Sequence, residues 1–208
     1  MAHFPLFLSL EGKECLVLGA GKVARRKSRV LLEYGAKITI CAIKWEPELE
    51  ELIKEYGREK VRFLLLTLTE GEQWKQELKS AIQPHSIEGF FLVICGTNQM
   101  KLNEEVALFY QERNILVNVA NSPNLCTFFF PAVVKKGPVS IGISTSGMSP
   151  FVSKILRREI EQRISDELVS CIEEINEYRK KIKKEVKEEE ERTLFIKQKV
   201  LDCLQDKI

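Results

Sequence analysis

The sequence predicts an α/β protein: a Rossmann-like doubly wound parallel sheet, then a small antiparallel segment, then a C-terminal helical domain. Three observations carry this. Across the first 120 residues, short apolar runs alternate with segments of helical period. A Gly-x-Gly-x-x-Ala stretch stands directly after the first apolar run and opens the first helical segment. After residue 127 the alternation stops, and from Ser149 the chain is helical and heavily charged.

The elements follow in order. ECLVLG (14–19) is an apolar run ending in glycine, as a strand buried on both faces would be. KVARRKSRVLLEYG (22–35) has helical spacing at Val23, Val30, Leu31 and Tyr34, with Gly35 as its stop. AKITICAI (36–43) is a second strand. EPELEELIKEYG (46–57) is a helix with Pro47 in its first turn and Gly57 at its end. Strands follow at 61–68, 90–97 and 115–120, with helices at 71–83 and 101–113 between them. TFFFPAVVKKGPVSIGIST (127–145) reads as two strands around a turn at Lys136-Gly137-Pro138. Ser149 caps the next helix and Pro150 takes its first position. The charge run at 180–192 reads as a solvated helix face.

Composition narrows the class. The chain has 208 residues and is 44% hydrophobic, enough for a substantial core. Its 32 basic and 30 acidic residues leave a net charge of +2, so bulk charge favours neither nucleic acid nor a membrane surface. No apolar stretch nears the ~20 residues needed to span a bilayer, and the N-terminus does not read as a leader. None of the six cysteines forms a CxxC, which argues against a zinc knuckle or a redox pair. Cys15, Cys41 and Cys95 read as buried free thiols. Scattered thiols fit a reducing cytoplasm.

Gly19-Ala20-Gly21-Lys22-Val23-Ala24 carries the chemistry. Gly19 permits a tight turn, Gly21 lets a pyrophosphate approach the backbone, and Ala24 lets helix and strand pack closely. The carboxylate that usually reads the adenosine ribose is missing: Cys41 to Trp45 contain no Asp or Glu. Lys44 would even suit a 2′-phosphate, and backbone groups at Ile43 and Lys44 are the other candidates. The choice between NAD and NADP stays open on these residues.

Lys22, Arg25, Arg26, Lys27 and Arg29 put five cations at a helix start, where each is disfavoured by ~0.3–1 kcal/mol. One pyrophosphate does not need five. Arg25, Arg26 and Arg29 are therefore candidates for a second, polycarboxylated ligand. In open sheets, ligands gather outside the carboxyl ends of the strands. Thr97 and Asn98 follow the fourth strand; Asn118 and Asn121 lie at the fifth. SIGISTSGMSP (140–150), with Ser144, Thr145 and Ser146, is either a further anion cradle or an ordinary Ser/Gly loop leading to a helix cap.

Taken together, FPLFLSLEGKECLVLGAGKVARRKSRVLLEYGAKIT, CGTNQMKLN and LVNVANSPNLCTFFFPAVVKKGPVSIGISTSGMSPFVSKILRREIE resemble the precorrin-2 dehydrogenase and sirohydrochlorin ferrochelatase family of sirohaem synthesis, over roughly residues 4–165. The resemblance implies oxidation of precorrin-2, a tetrapyrrole bearing many carboxylates, with NAD as cofactor, in a cytoplasmic homodimer. It implies an NAD-binding domain at 1–113, a dimerisation segment at 114–148 and a helical domain at 149–208. It places NAD contacts on Lys22, Val23, Ile43 and Lys44 besides the glycine turn, with Thr97 and Asn98 beside them. Substrate contacts are expected at Arg25, Arg26, Asn118, Ser144, Thr145 and Ser146. No nucleic acid, membrane or resident metal is expected.

One departure bears on mechanism. The family commonly has an aspartate after the fifth strand, where this chain has Asn121 within Asn118-Val119-Ala120-Asn121-Ser122-Pro123. Where the family often reads A-T-D-D, this chain has Gly96-Thr97-Asn98-Gln99. An amide neither accepts a proton as a carboxylate does nor ligates a transition metal well. The resulting expectation is a dehydrogenase with weak or absent metal insertion. The alternatives are a catalytically degenerate member that carries or regulates, and an unrelated Rossmann oxidoreductase. The last finds no Tyr-x-x-x-Lys pair to support it.

Overall fold

A computed structural model describes residues 3–204. The first two residues of the domain expected at 1–113, and the last four of that expected at 149–208, lie outside the described residues. The chain divides into two compact units, one spanning Phe7–Phe130 and the other formed from Pro131 onward together with the residues before Phe7.

The first unit is the parallel sheet. Its strands are β1 (Glu14–Leu18), β2 (Lys37–Ala42), β3 (Val61–Leu65), β4 (Leu92–Cys95) and β5 (Leu116–Val119), in the order β3-β2-β1-β4-β5. Helices α1 (Lys22–Glu33), α2 (Pro47–Tyr56), α3 (Gln73–Ala81) and α4 (Met100–Gln111) connect them. The chain winds outward from β1 to β3, then returns to the other side of β1 as β4. That reversal is the topological switch point of such sheets. Register places Leu18 of β1 beside Cys41 of β2 and Cys95 of β4, so three strand ends finish level.

The strands are buried because both sheet faces are covered. Val17, Ile38, Ile40 and Ile94 face α1 and α2, through Ala24, Leu31, Leu32, Leu49 and Leu52. Leu16, Leu18, Val93 and Val117 face the other layer, which holds Trp74, Leu78, Val106 and Tyr110. Trp74 of α3 meets Phe109 of α4 edge-on at 5.2 Å between ring centroids. Cys15, Cys41 and Cys95 are buried free thiols in this core.

Side chains close one margin of the sheet. Beyond β5 the Thr127 amide donates to Val117 O and the Val117 amide to Thr127 Oγ1, both at 2.8 Å. The Val119 amide donates to Cys126 Sγ at 3.1 Å, and that thiol donates to Val119 O at 3.4 Å. Two side chains thus satisfy an edge where another strand would otherwise pair.

The second unit contains the hairpin of β6 (Ala132–Lys136) and β7 (Val139–Ile143) and helices α5 (Pro150–Arg163), α6 (Asp166–Glu185) and α7 (Glu189–Leu204). Ser149 caps α5, accepting from the Val152 amide at 3.3 Å, and Ser165 caps α6, accepting from Leu168 at 3.1 Å. The charge run at 180–192 is not one helix face: α6 ends at Glu185 and α7 begins at Glu189. The resulting α6–α7 hairpin brings Cys171 and Cys203 together as a disulfide. Neither residue is among the three read as free thiols from the sequence, which offers no partner for either. The partners are 32 residues apart and meet through tertiary packing, so local spacing carries no trace of them. Among the described residues, no helix is long and apolar enough to cross a membrane.

Candidate functional site

The glycine turn explains itself residue by residue. Gly19 has φ +96°, and a Cβ there would lie 2.4 Å from the carbonyl oxygen of Gly96. That backbone cannot yield, so only glycine fits. The turn is pinned by the Gly19 amide donating to Cys41 O at 2.7 Å and the Gly96 amide to Leu18 O at 2.8 Å. Gly21 differs: a Cβ on it would meet nothing within 4 Å. Its bare backbone faces open space. Ala24 is 2% exposed, and a Cβ added at Gly96 would lie 3.5 Å from the Ala24 Cβ. The helix–strand approach that the motif requires is therefore present.

These three strand ends enclose a cleft of about 300 Å³. Of the expected cofactor contacts, Gly19, Ala20, Gly21, Ile43, Lys44, Thr97 and Asn98 line it. Lys22 and Val23 are exposed at the start of α1, and Ala24 packs beneath it. Helix α1 has Gly21 at its N-cap, no side-chain cap and no acidic residue in its first turn. Its first amides therefore suit a phosphate group. Lys22, one turn before Arg26, adds positive charge on the exposed side.

Asn103 organises the opposite wall, a role hidden in an ordinary helix sequence. It is 4% exposed on α4. Its Oδ1 accepts from Thr97 Oγ1 at 2.8 Å and its Nδ2 donates to Thr97 O at 2.9 Å. The loop Thr97-Asn98-Gln99 is thereby held against the cleft. Glu46 is a second residue absent from the sequence expectations; it lines the cleft just past Lys44.

The five cations of α1 divide. Arg25 pairs with Glu48 of α2 at 2.5 Å and Arg29 with Glu55 at 3.6 Å. Backbone hydrogen bonding and then Arg25 hold the Glu48 carboxyl below its ordinary value. Lys27 donates to Asn118 Oδ1 and lies 5.6 Å from the Phe130 ring centroid. Burial is the main cause that lowers its pKa. Three of the five therefore contact neighbouring elements, Arg25 and Arg29 through α2 and Lys27 through β5. Lys22 and Arg26 remain exposed.

Asn118 is likewise committed inside the fold. It is 4% exposed, receives Lys27, and donates to Phe128 O at 2.8 Å. This places it beneath the surface expected to touch substrate. Asn121 is exposed, with φ +62°. That left-handed conformation favours Asn, Asp or Gly over most residues. Ser144, Thr145 and Ser146 belong to the second unit, in the loop before α5. Thr145 Oγ1 donates to Ser149 O and accepts from the Ser149 amide, both at 3.1 Å. It organises a helix start.

A glycine turn at the switch point, an uncapped helix start and a cleft across three strand ends define a dinucleotide-binding protein of Rossmann type. The chain belongs to the putative NAD(P)-binding family, whose model matches residues 6–132. A second model, for the central part of a sirohaem biosynthesis protein, matches residues 136–163. The siroheme synthase of Citrobacter koseri is 29% identical over 195 residues, covering 94% of this chain and 39% of that protein. That of Nitrosococcus oceani is 32% identical over 186 residues, covering 89% of this chain and 36% of its own. The chain thus spans under two fifths of these relatives' length. Among solved structures, SirC, a precorrin-2 dehydrogenase, superposes with a TM-score of 0.71 at 23% identity over 98% of both chains, and shares the fold.

Proposed function

We propose that this chain is an NAD-dependent precorrin-2 dehydrogenase acting in sirohaem synthesis, forming sirohydrochlorin in the cytoplasm. The observation that carries the reading is the dinucleotide cleft in a chain that siroheme synthases match across 94% of its length. The cofactor supplies the hydride acceptor. The protein's part is to hold the dinucleotide at Gly19, Ala20, Gly21 and the start of α1, against the wall that Asn103 fixes. Oxidation also releases a proton, and Asn121 has no carboxylate to take it, so the acceptor is water or a carboxylate of the substrate. Arg26, exposed on α1, is the remaining cation suited to a substrate carboxylate. Asn121 and the Thr97-Asn98-Gln99 loop lack the acids that metal insertion calls for, so chelation is weak or absent.

The active species is proposed to be a homodimer formed through the second unit. Phe151, Val152, Ile155 and Leu156 leave an exposed apolar stripe on α5.

Anaerobic incubation of the purified chain with precorrin-2 and NAD tests the proposal. Sirohydrochlorin should appear in step with NADH absorbance. The two amide positions favour a second reading, a member that binds both ligands without turnover. Binding without turnover, with activity gained by Asn121→Asp, would establish that reading instead. The left-handed backbone at 121 tolerates Asp, so this variant keeps the fold.

A further inference from the structure

The residues after β2 lack the acid that usually selects NAD, yet the folded cleft contains one. Beyond Ala42 the chain runs through Ile43, Lys44 and Trp45 to Glu46, which occupies the N-cap of α2 in extended conformation. The Glu46 side chain does not cap that helix. It lines the cleft instead, and among the described residues it is the one acidic group there, as Lys44 is the one basic group. Lys44 Nζ lies 2.9 Å from Glu46 Oε1. Their exposures differ: the Glu46 side chain is 26% exposed and that of Lys44 73%. The carboxylate is the inner partner and the ammonium the outer one.

We propose that Glu46 is the specificity-determining residue for the dinucleotide, accepting hydrogen bonds from the adenosine ribose and rejecting a 2′-phosphate. The inference rests on the dinucleotide reading of the cleft. A carboxylate beside the second strand's end bonds ribose hydroxyls strongly, because the acceptor is ionised. The same charge repels a phosphate dianion. Taken alone, Lys44 would attract that phosphate. Paired with Glu46 it is neutralised and steadies the carboxylate. The ribose-reading acid has thus moved from the strand end to the start of the next helix.

Equilibrium titration of the full chain with NADH and NADPH tests this, read through nucleotide fluorescence and quenching of Trp45, which stands between the two residues. The wild-type chain should bind NADH more tightly than NADPH. Glu46→Gln should shrink that ratio at least about tenfold, chiefly by tightening NADPH. Lys44→Met should leave the preference for NADH in place. A loss of general folding would weaken both ligands together, so the proposal is overturned by a Glu46→Gln chain that keeps wild-type NADH affinity with an unchanged ratio. Wild-type preference for NADPH also overturns it while leaving the dinucleotide reading intact. Binding of neither nucleotide defeats that broader reading as well.

Discussion

Lys27 of α1 donates to the side-chain carbonyl of Asn118 in β5, joining the helix after the glycine turn to the far strand of the sheet. Asn118 passes the contact on to Phe128 O at 2.8 Å. One buried amide therefore fastens α1, β5 and the segment beyond it. Asn118→Ala strips two groups of their partner, Lys27 and the Phe128 carbonyl. Its expected cost is about 2–3 kcal/mol. Lys27→Met orphans only the amide oxygen and also relieves the burial of a cation, so about 1 kcal/mol is expected. Urea midpoints at neutral pH give both values. A Lys27→Met variant costing as much as Asn118→Ala would contradict the assignment of Asn118 as the hub.

The two motif glycines should separate under the same substitution. Gly19→Ala drives a methyl into the Gly96 carbonyl at a positive φ. It should lower stability by several kcal/mol and abolish nucleotide binding. Gly21→Ala projects into open space and should leave the melting temperature nearly unchanged. Its dinucleotide affinity should nevertheless fall at least about tenfold, since the methyl occupies the pyrophosphate's approach. Calorimetry with NADH titration compares the pair. Unimpaired binding by a folded Gly21→Ala chain would remove the pyrophosphate from that position.

The α6–α7 hairpin should be sensitive to reductant. Cys171 and Cys203 close a loop across a separation of 32 residues. Chain-entropy bookkeeping puts a staple of that span at ~3–4 kcal/mol. Circular dichroism of urea unfolding, with and without dithiothreitol, should show the helical signal lost earlier when reduced. A thiol count under denaturant gives an independent check. Cys15, Cys41, Cys95 and Cys126 should react before reduction, and Cys171 and Cys203 only after it. Reaction of all six at the outset would refute the bridge.

Stability should decline in mild alkali. Burial pushes the thiols of Cys15, Cys41 and Cys95 up from 9.0 to about 12. Below pH 9 these thiols are protonated in both folded and unfolded chains, and their contribution is fully present. Between pH 9 and about 12 the unfolded chain ionises first, and the contribution is lost at up to about 1.4 kcal/mol per pH unit for each thiol. Lys27 acts with the opposite sign, because its pKa is lowered; its burial penalty fades as pH rises. Three groups outweigh one, so unfolding free energy should be flat to pH 8.5 and then fall. Cys95→Ala should make the decline between pH 9 and 10 shallower.

The sheet was legible because strands buried on both faces read as apolar runs, and ECLVLG or FFLVICGT resembles nothing else at that length. Their ends were not. The apolar runs extend to residue 68 after β3 and to 97 after β4, whereas the strands stop at Leu65 and Cys95. Apolar residues beyond those points line the cleft, as Leu66 and Leu68 do, and period alone cannot tell cleft wall from strand. The glycine turn was visible because its requirements are backbone requirements. Glu46 was not, since it occupies a helix cap after the stretch where the acid normally falls. Nor was the division of the α1 cations. A sequence displays charge along one helix, but Glu48 and Glu55 become partners only when α2 packs alongside.

The closing of the β5 margin by Cys126 and Thr127 has a consequence for crowded solution. A sheet open on both sides can recruit copies indefinitely, each exposing a fresh rim to the next. Among the described residues β3 is the rim left on the five-stranded sheet, and two identical rims can only meet each other. Such a meeting uses up both and terminates. Growth of the five-stranded sheet by strand addition then stops at a pair.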